Sequence, residues 1–314
     1  MESVSQIPAE RTRPTRGMKR VRQTLLPPIT SEQHLGDSAT LNAQFWFERL
    51  PLRITAGWSL AAGLLAGGVL RAPGALSWQT LVLLWLLADP LWGAIWRLAA
   101  GRTESLRLPA RTLGVRGRLP YLEQGSPAAQ LFGSDGPASL RLLYRVALPA
   151  VLVGLLVASA LGVPALVLTV VVIGLGVAGW ISVRVLHLWP FLLQAIVAVG
   201  LPWLLALILL DVNGLSPDWN RQLALLLLWV LHMWGANRAL AHTLDWPAIG
   251  VMAVAALGIG VLMVVAQAPL WLALLALLWL PTWLAAYQRR ALQSQQVWWL
   301  LAMLVSTLAL GQAG

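Results

Sequence analysis

The chain has 314 residues, 58% of them hydrophobic and only 11% charged, against about 25% charged in an ordinary soluble domain. A soluble fold must face water with something polar, so this composition excludes one and points to an all-α, polytopic membrane helical bundle. The lack of cysteine excludes disulfides, thiolate metal sites and cysteine nucleophiles; the net charge of +10 has to be read from its distribution.

Residues 1–44 are polar, with the basic run Arg11, Arg13, Arg16, Lys19, Arg20 and Arg22 and no apolar h-region. They read as a disordered cytoplasmic tail rather than a signal peptide. Such a tail either sets topology beside anionic headgroups or docks a partner subunit, for which the apolar stretch 25–30 is the candidate. Residues 45–314 read as one transmembrane domain.

From about residue 52 the chain runs through nine apolar stretches, each near the ~20 residues that a spanning helix needs. They cover 52–71, 77–99, 142–161, 164–184, 188–210, 222–241, 247–266, 269–287 and 296–312. Gly162-Val163-Pro164 and Gln267-Ala268-Pro269 are very short connections with proline at a helix start, where its missing N–H costs nothing. They predict antiparallel hairpins. The longest loop, about 100–141, is basic and rich in Gly and Pro; the loop from Asp211 to Arg221 reads as a plain turn region.

With the N-terminus inside, 20 of the 22 Lys and Arg fall in cytoplasmic segments, and only Arg71 and Arg221 fall on the other side. Cytoplasmic loops hold the excess of Lys and Arg. The alternation therefore predicts nine crossings, a cytoplasmic N-terminus and an outside C-terminus. It also accounts for the basic charge without nucleic acid. The expected location is a bacterial cytoplasmic membrane.

Eighteen tryptophans are many for this length. Trp46, Trp58, Trp78, Trp189, Trp219, Trp246, Trp271, Trp298 and Trp299 lie near predicted helix ends, as an interfacial aromatic belt requires. A second group, Trp85, Trp92 and Trp96 around Asp89 with Trp229 and Trp234 around His232, either lines an aromatic pocket or faces lipid. Asp89 is the one carboxylate inside a predicted helix. At the bilayer centre it costs about 3 kcal/mol, so it needs a partner or water. Residues 89, 92, 93, 96 and 97 share a helical face, which makes Asp89, Trp92 and Arg97 candidate binding residues. Pro90 frees a carbonyl four residues earlier, and Asp89 serves either that kink or a cytoplasm-facing polar site. On the sixth stretch His232, Asn237 and Arg238 approach the cytoplasmic end, and His242, Thr243 and Asp245 follow. No metal site is expected, since nothing has HExxH or carboxylate–histidine spacing. The small-residue sets Gly63/Gly67 and Gly174/Gly176/Gly179 permit close helix packing.

Nine helices with this orientation, and inner loops after the second and sixth, resemble the UbiA superfamily of membrane prenyltransferases. That resemblance implies Asn/Asp-rich motifs at the inner end of helix two and after helix six, holding Mg²⁺ on an isoprenyl diphosphate whose developing charge must be neutralised. Here the first motif falls on Ala88-Asp89-Pro90-Leu91-Trp92-Gly93-Ala94-Ile95-Trp96-Arg97, with Gly93 and Arg97 where later aspartates belong. The second falls on residues 236–245, which offer only Asn237 and Asp245. The resemblance implies a cytoplasm-facing cavity for an isoprenoid or similar amphiphile, and Mg²⁺ only if prenyl transfer is retained. Its site is expected to bring Asp89 and the 237–245 segment together at the inner face. The alternative is a non-catalytic, pigment- or quinone-holding subunit of a membrane complex. A transporter, with Asp89 and His232 as its ionisable groups and discontinuities at Pro90 and Gly200-Leu201-Pro202, is the third reading.

Overall fold

The computed structural model describes residues 54–72, 74–96, 148–181, 190–215, 218–241, 245–288, 290 and 292–313. The N-terminal tail, the 100–141 loop, Trp46, Trp189, Arg97, His242 and Thr243 lie outside them. Among the described residues the fold is all-helical, without a strand. In chain order the helices are α1 (Ala56–Ala66), α2 (Trp78–Trp96), α3 (Leu148–Leu161), α4 (Val163–Ile181), α5 (190–212), α6 (Trp219–Ala241), α7 (Trp246–Val265), α8 (Pro269–Tyr287) and α9 (Gln296–Ala313). Five of them, α2, α5, α6, α7 and α8, are long and apolar enough to cross a membrane; α1, α3, α4 and α9 are shorter apolar helices. The first stretch is the most curtailed. It starts at Thr55, whose hydroxyl accepts from the Trp58 N–H, and beyond Ala66 it continues only as a 3-10 turn at Val69–Arg71. Gly68, with φ +81°, breaks it, because a left-handed residue cannot continue a right-handed helix.

The two predicted hairpins are present. Gly162 alone separates α3 from α4 at φ +106°, and α7 turns into α8 through Ala266–Ala268 with Pro269 opening α8. Each helix packs on its successor, and α9 returns to α1, so the described helices close a circuit. That circuit is pinched by α1 against α5. Both contribute to each of two cores, one shared with α2–α4 and one with α6–α9.

Composition explains why α1 can stand in the middle. Its sequence AGWSLAAGLLA, followed by Gly67, supplies small residues on several faces. A methyl group on Gly63 would sit 2.8 Å from the Trp203 carbonyl oxygen of α5, and one on Gly67 would sit 2.4 Å from Leu210. On another side the α1 backbone meets Gly311 of α9, where an added Cβ would lie 2.0 Å from the Leu65 carbonyl oxygen. Between helices in lipid there is no hydrophobic driving force, so such close backbone approach supplies the attraction. Of the second small-residue set, Gly176 meets Ile95 of α2, whereas Gly174 has nothing within 4 Å.

Polar side chains tie the helices where they are buried. The Trp92 indole N–H donates to Thr169 Oγ1 of α4 (3.1 Å), Trp229 to Ser306 Oγ of α9 (3.0 Å) and Trp299 to Thr282 Oγ1 of α8 (2.9 Å). At the other end of α1, Gln222 Nε2 of α6 donates to the Ala66 carbonyl at 2.6 Å.

Candidate functional site

Two helices depart from α geometry at the places where proline made the sequence suspect. In α2, Leu87–Leu91 forms a π-helical turn around Pro90; in α5, Ile196–Gly200 does the same just before Pro202. A wider turn accommodates the carbonyl that proline leaves without its N–H, and π turns occur often at functional sites. Here both turns border the same cavity, through Ala88 and Asp89 on one side and Val197 and Ala198 on the other.

The cavity measures about 410 Å³, within the roughly 300–1,000 Å³ typical of small-molecule sites. It lies at the end of the bundle where α1, α5 and α9 begin and α2 and α6 finish. Its walls are Thr55 and its neighbours from α1, Asp89, Trp92, Gly93 and Trp96 from α2, and Gln194 from α5. Met233, Asn237 and Leu240 of α6 and Gln296 and Trp299 of α9 complete it. Three side-chain amides, one hydroxyl, one carboxylate and three indoles thus meet in an otherwise apolar enclosure.

Asp89 is 3% exposed, and its position follows from α1. The first-turn N–H groups of a helix have no intrahelical partner. Gly57 N–H donates to Asp89 Oδ1 at 3.0 Å, while Thr55 takes the neighbouring Trp58 N–H. Asp89 therefore caps α1 from another helix. The N-terminal dipole of α1 provides a favourable setting for a carboxylate. Gly57 has to be glycine for this, because a Cβ there would meet Trp85 Nε1 at 2.6 Å. Asp89 thus satisfies backbone of α1 and also lines the cavity.

Of the candidate residues, Asp89, Trp92 and Asn237 share this cavity. His232 does not line it. It is fully buried behind Trp299, edge-on to Trp229 at 5.1 Å and to Trp299 at 5.6 Å between ring centroids. The Met252 backbone faces His232, but neither ring nitrogen meets a hydrogen bond of ordinary geometry among the described residues. Arg238 and Asp245 pair with one another, and Asp245 also accepts from Ala248 N–H to cap α7; neither reaches the cavity wall. Arg97 lies outside the described residues. Among the described residues no three His, Cys, Asp or Glu side chains cluster as metal ligands.

Sequence reasoning missed Gln194, Gln296 and Thr55, and it placed Trp299 in the interfacial belt. Gln194 carried a usable signal, since it is the one amide inside the fifth apolar stretch. Trp299 carried none: adjacent Trp298 is 39% exposed whereas Trp299 is 1% exposed, and only the angular setting of α9 separates them. No family model, no curated protein and no solved structure matches the chain.

Proposed function

We propose that the chain is a nine-span membrane protein, N-terminus in the cytoplasm and C-terminus outside, whose cavity binds an isoprenoid or similar amphiphile from the cytoplasmic side. The observation that carries this reading is the convergence of Asp89, Asn237 and the indoles of Trp92, Trp96 and Trp299 in one enclosure at one end of the bundle. The 20-to-2 division of Lys and Arg supports the orientation, which puts that end at the inner face. A circuit of helices in chain order, with the cavity bordered by the ends of α2 and α6, supports a scaffold similar to that of the UbiA superfamily.

The transfer chemistry of that family is not part of this reading. Mg²⁺ on a diphosphate needs carboxylates from two sides. Among the described residues Asp89 is the only carboxylate of the cavity wall, and Asp245 is held by Arg238 and the start of α7. The described residues do not fit that group.

Equilibrium binding of tritiated farnesol to the full chain in nanodiscs, corrected for empty nanodiscs, tests the cavity. Ala198→Phe puts a ring into the enclosure and is expected to weaken binding about tenfold with helical content preserved. Unchanged binding in that variant would locate the amphiphile elsewhere and end the reading.

A further inference from the structure

We infer that the head of the bound amphiphile is an uncharged hydroxyl, held by the side-chain amides of Gln194, Asn237 and Gln296. The inference rests on the cavity being the amphiphile site and specifies which head it takes. The three amides come from three different helices, α5, α6 and α9, and meet at one enclosure. An amide in an apolar helix is costly unless it finds a partner. Elsewhere in the bundle that partner is another helix: Gln222 Nε2 of α6 donates to the Ala66 carbonyl of α1. The cavity amides form no such tie. Among the described residues no hydrogen bond engages the side chain of Gln194 or Asn237, and Gln296 Oε1 is turned away from water without a donor. Their hydrogen-bonding capacity is thus left for what enters the cavity.

The groups that a ligand can reach are neutral. Gln194 is exposed, and Thr55, Trp96, Asn237 and Gln296 are half-buried. Asp89, by contrast, is 3% exposed and already engaged by protein groups, the Gly57 N–H among them. A phosphate or an ammonium head would have to leave water for a wall that shows it only neutral dipoles, which is strongly penalised in an apolar enclosure. A hydroxyl avoids that penalty. It also matches the amide, which both donates and accepts: the hydroxyl gives its proton to one carbonyl oxygen and accepts from an N–H beside it. A head that only accepts, such as an ether or a ketone, would leave the carbonyl oxygens unpaired. Gln296 has most to gain. Its side chain is unbranched, and a rotation toward the enclosure would bring the donorless Oε1 to a hydroxyl there.

The test uses four probes with one isoprenoid chain: farnesol, farnesyl methyl ether, farnesyl phosphate and farnesyltrimethylammonium. Binding to the full chain in nanodiscs is read by native mass spectrometry, with partition into protein-free nanodiscs subtracted. Farnesol is expected to bind about tenfold tighter than its methyl ether, which accepts but cannot donate. Both charged probes should bind at least about tenfold more weakly than farnesol. Asn237→Leu and Gln296→Met keep the side-chain bulk and remove the amide. Each is expected to bring alcohol and ether within about twofold of one another while ether affinity stays as it was, which shows that the enclosure still forms. If either variant loses the ether as well, Gln194→Leu, at an exposed position, repeats the comparison. Ether as tight as alcohol overturns the inference and leaves the amphiphile site standing. Tightest binding by the phosphate or by the ammonium overturns it too, as does an alcohol preference that survives all three amide substitutions. Failure of all four probes to bind removes the inference and the amphiphile site together.

Discussion

The approach of α9 to α1 gives the sharpest quantitative expectation. Gly311→Ala would place a methyl carbon 2.0 Å from the Leu65 carbonyl oxygen, 3.1 Å from its carbonyl carbon and 3.5 Å from the Ala66 carbonyl oxygen. Ordinary contact begins at 3.4 Å, so the two helices must part by about 1.4 Å at this point. The obstructing atoms are backbone, and no change of rotamer relieves them. The Leu65 carbonyl also accepts the Gly68 N–H at 3.0 Å, so pushing it aside disturbs the turn that ends α1. Overpacking of this kind costs ~1–3 kcal/mol, and the upper half of that range is expected here. For a protein of this size that lowers the melting temperature by on the order of 5 °C. Thermal unfolding in nanodiscs, followed by near-ultraviolet circular dichroism, measures it. Gly174→Ala is the control: nothing lies within 4 Å of the added methyl, and alanine is the better helix former by up to ~1 kcal/mol. Indistinguishable melting temperatures for the two variants would show that α1 and α9 are not packed backbone to backbone, and the argument for a central α1 would fail.

Asp89→Ala leaves the buried Gly57 N–H without its acceptor and is expected to cost about 2 kcal/mol, whereas Asp89→Asn should cost less than half as much; equal melting temperatures for both would remove the capping role. Thr169→Val and Thr282→Val each deprive a buried indole N–H of its acceptor, for about 1–3 kcal/mol apiece. The Thr282 change should also weaken ligand binding, because it frees Trp299 within the cavity wall; an unaltered dissociation constant would show that this ring is held by packing alone. Arg238→Gln removes the partner of Asp245. That carboxylate is only 10% exposed, so the change should destabilise the α6–α7 junction by about 1 kcal/mol or more, seen as faster amide exchange at the first turn of α7.

Much of the helical layout was legible because lipid solubility writes itself into long apolar stretches, and because proline and glycine punctuate them. The stretches 269–287 and 296–312 agree with α8 and α9 to within a residue. The first stretch misled at both ends: its apolar residues run on past Ala66, but a left-handed Gly68 and a half-buried N-cap at Thr55 are conformational facts that hydropathy does not register. Asp89, Trp92 and Asn237 could be singled out because polar or bulky groups in a helix stand out against Leu and Val. Whether they met depended on helix rotation and neighbour choice, which belong to packing. The same limit applies to His232. Its presence in an apolar helix invited a binding role, yet the direction it faces is set by Trp229 and Trp299 closing on it from two helices.

The paired π turns have a consequence for how the cavity could be altered. Each turn holds one residue more than the same length of α-helix would, so the helix beyond it is rotated by roughly 100° relative to an uninterrupted one. Excising a single residue from 87–91 would let α2 relax to regular geometry and swing Gly93 and Trp96 off the wall while leaving hydropathy almost untouched. The enclosure is in that sense written by two surplus residues, and its shape would change by deletion more readily than by most substitutions of the side chains that line it.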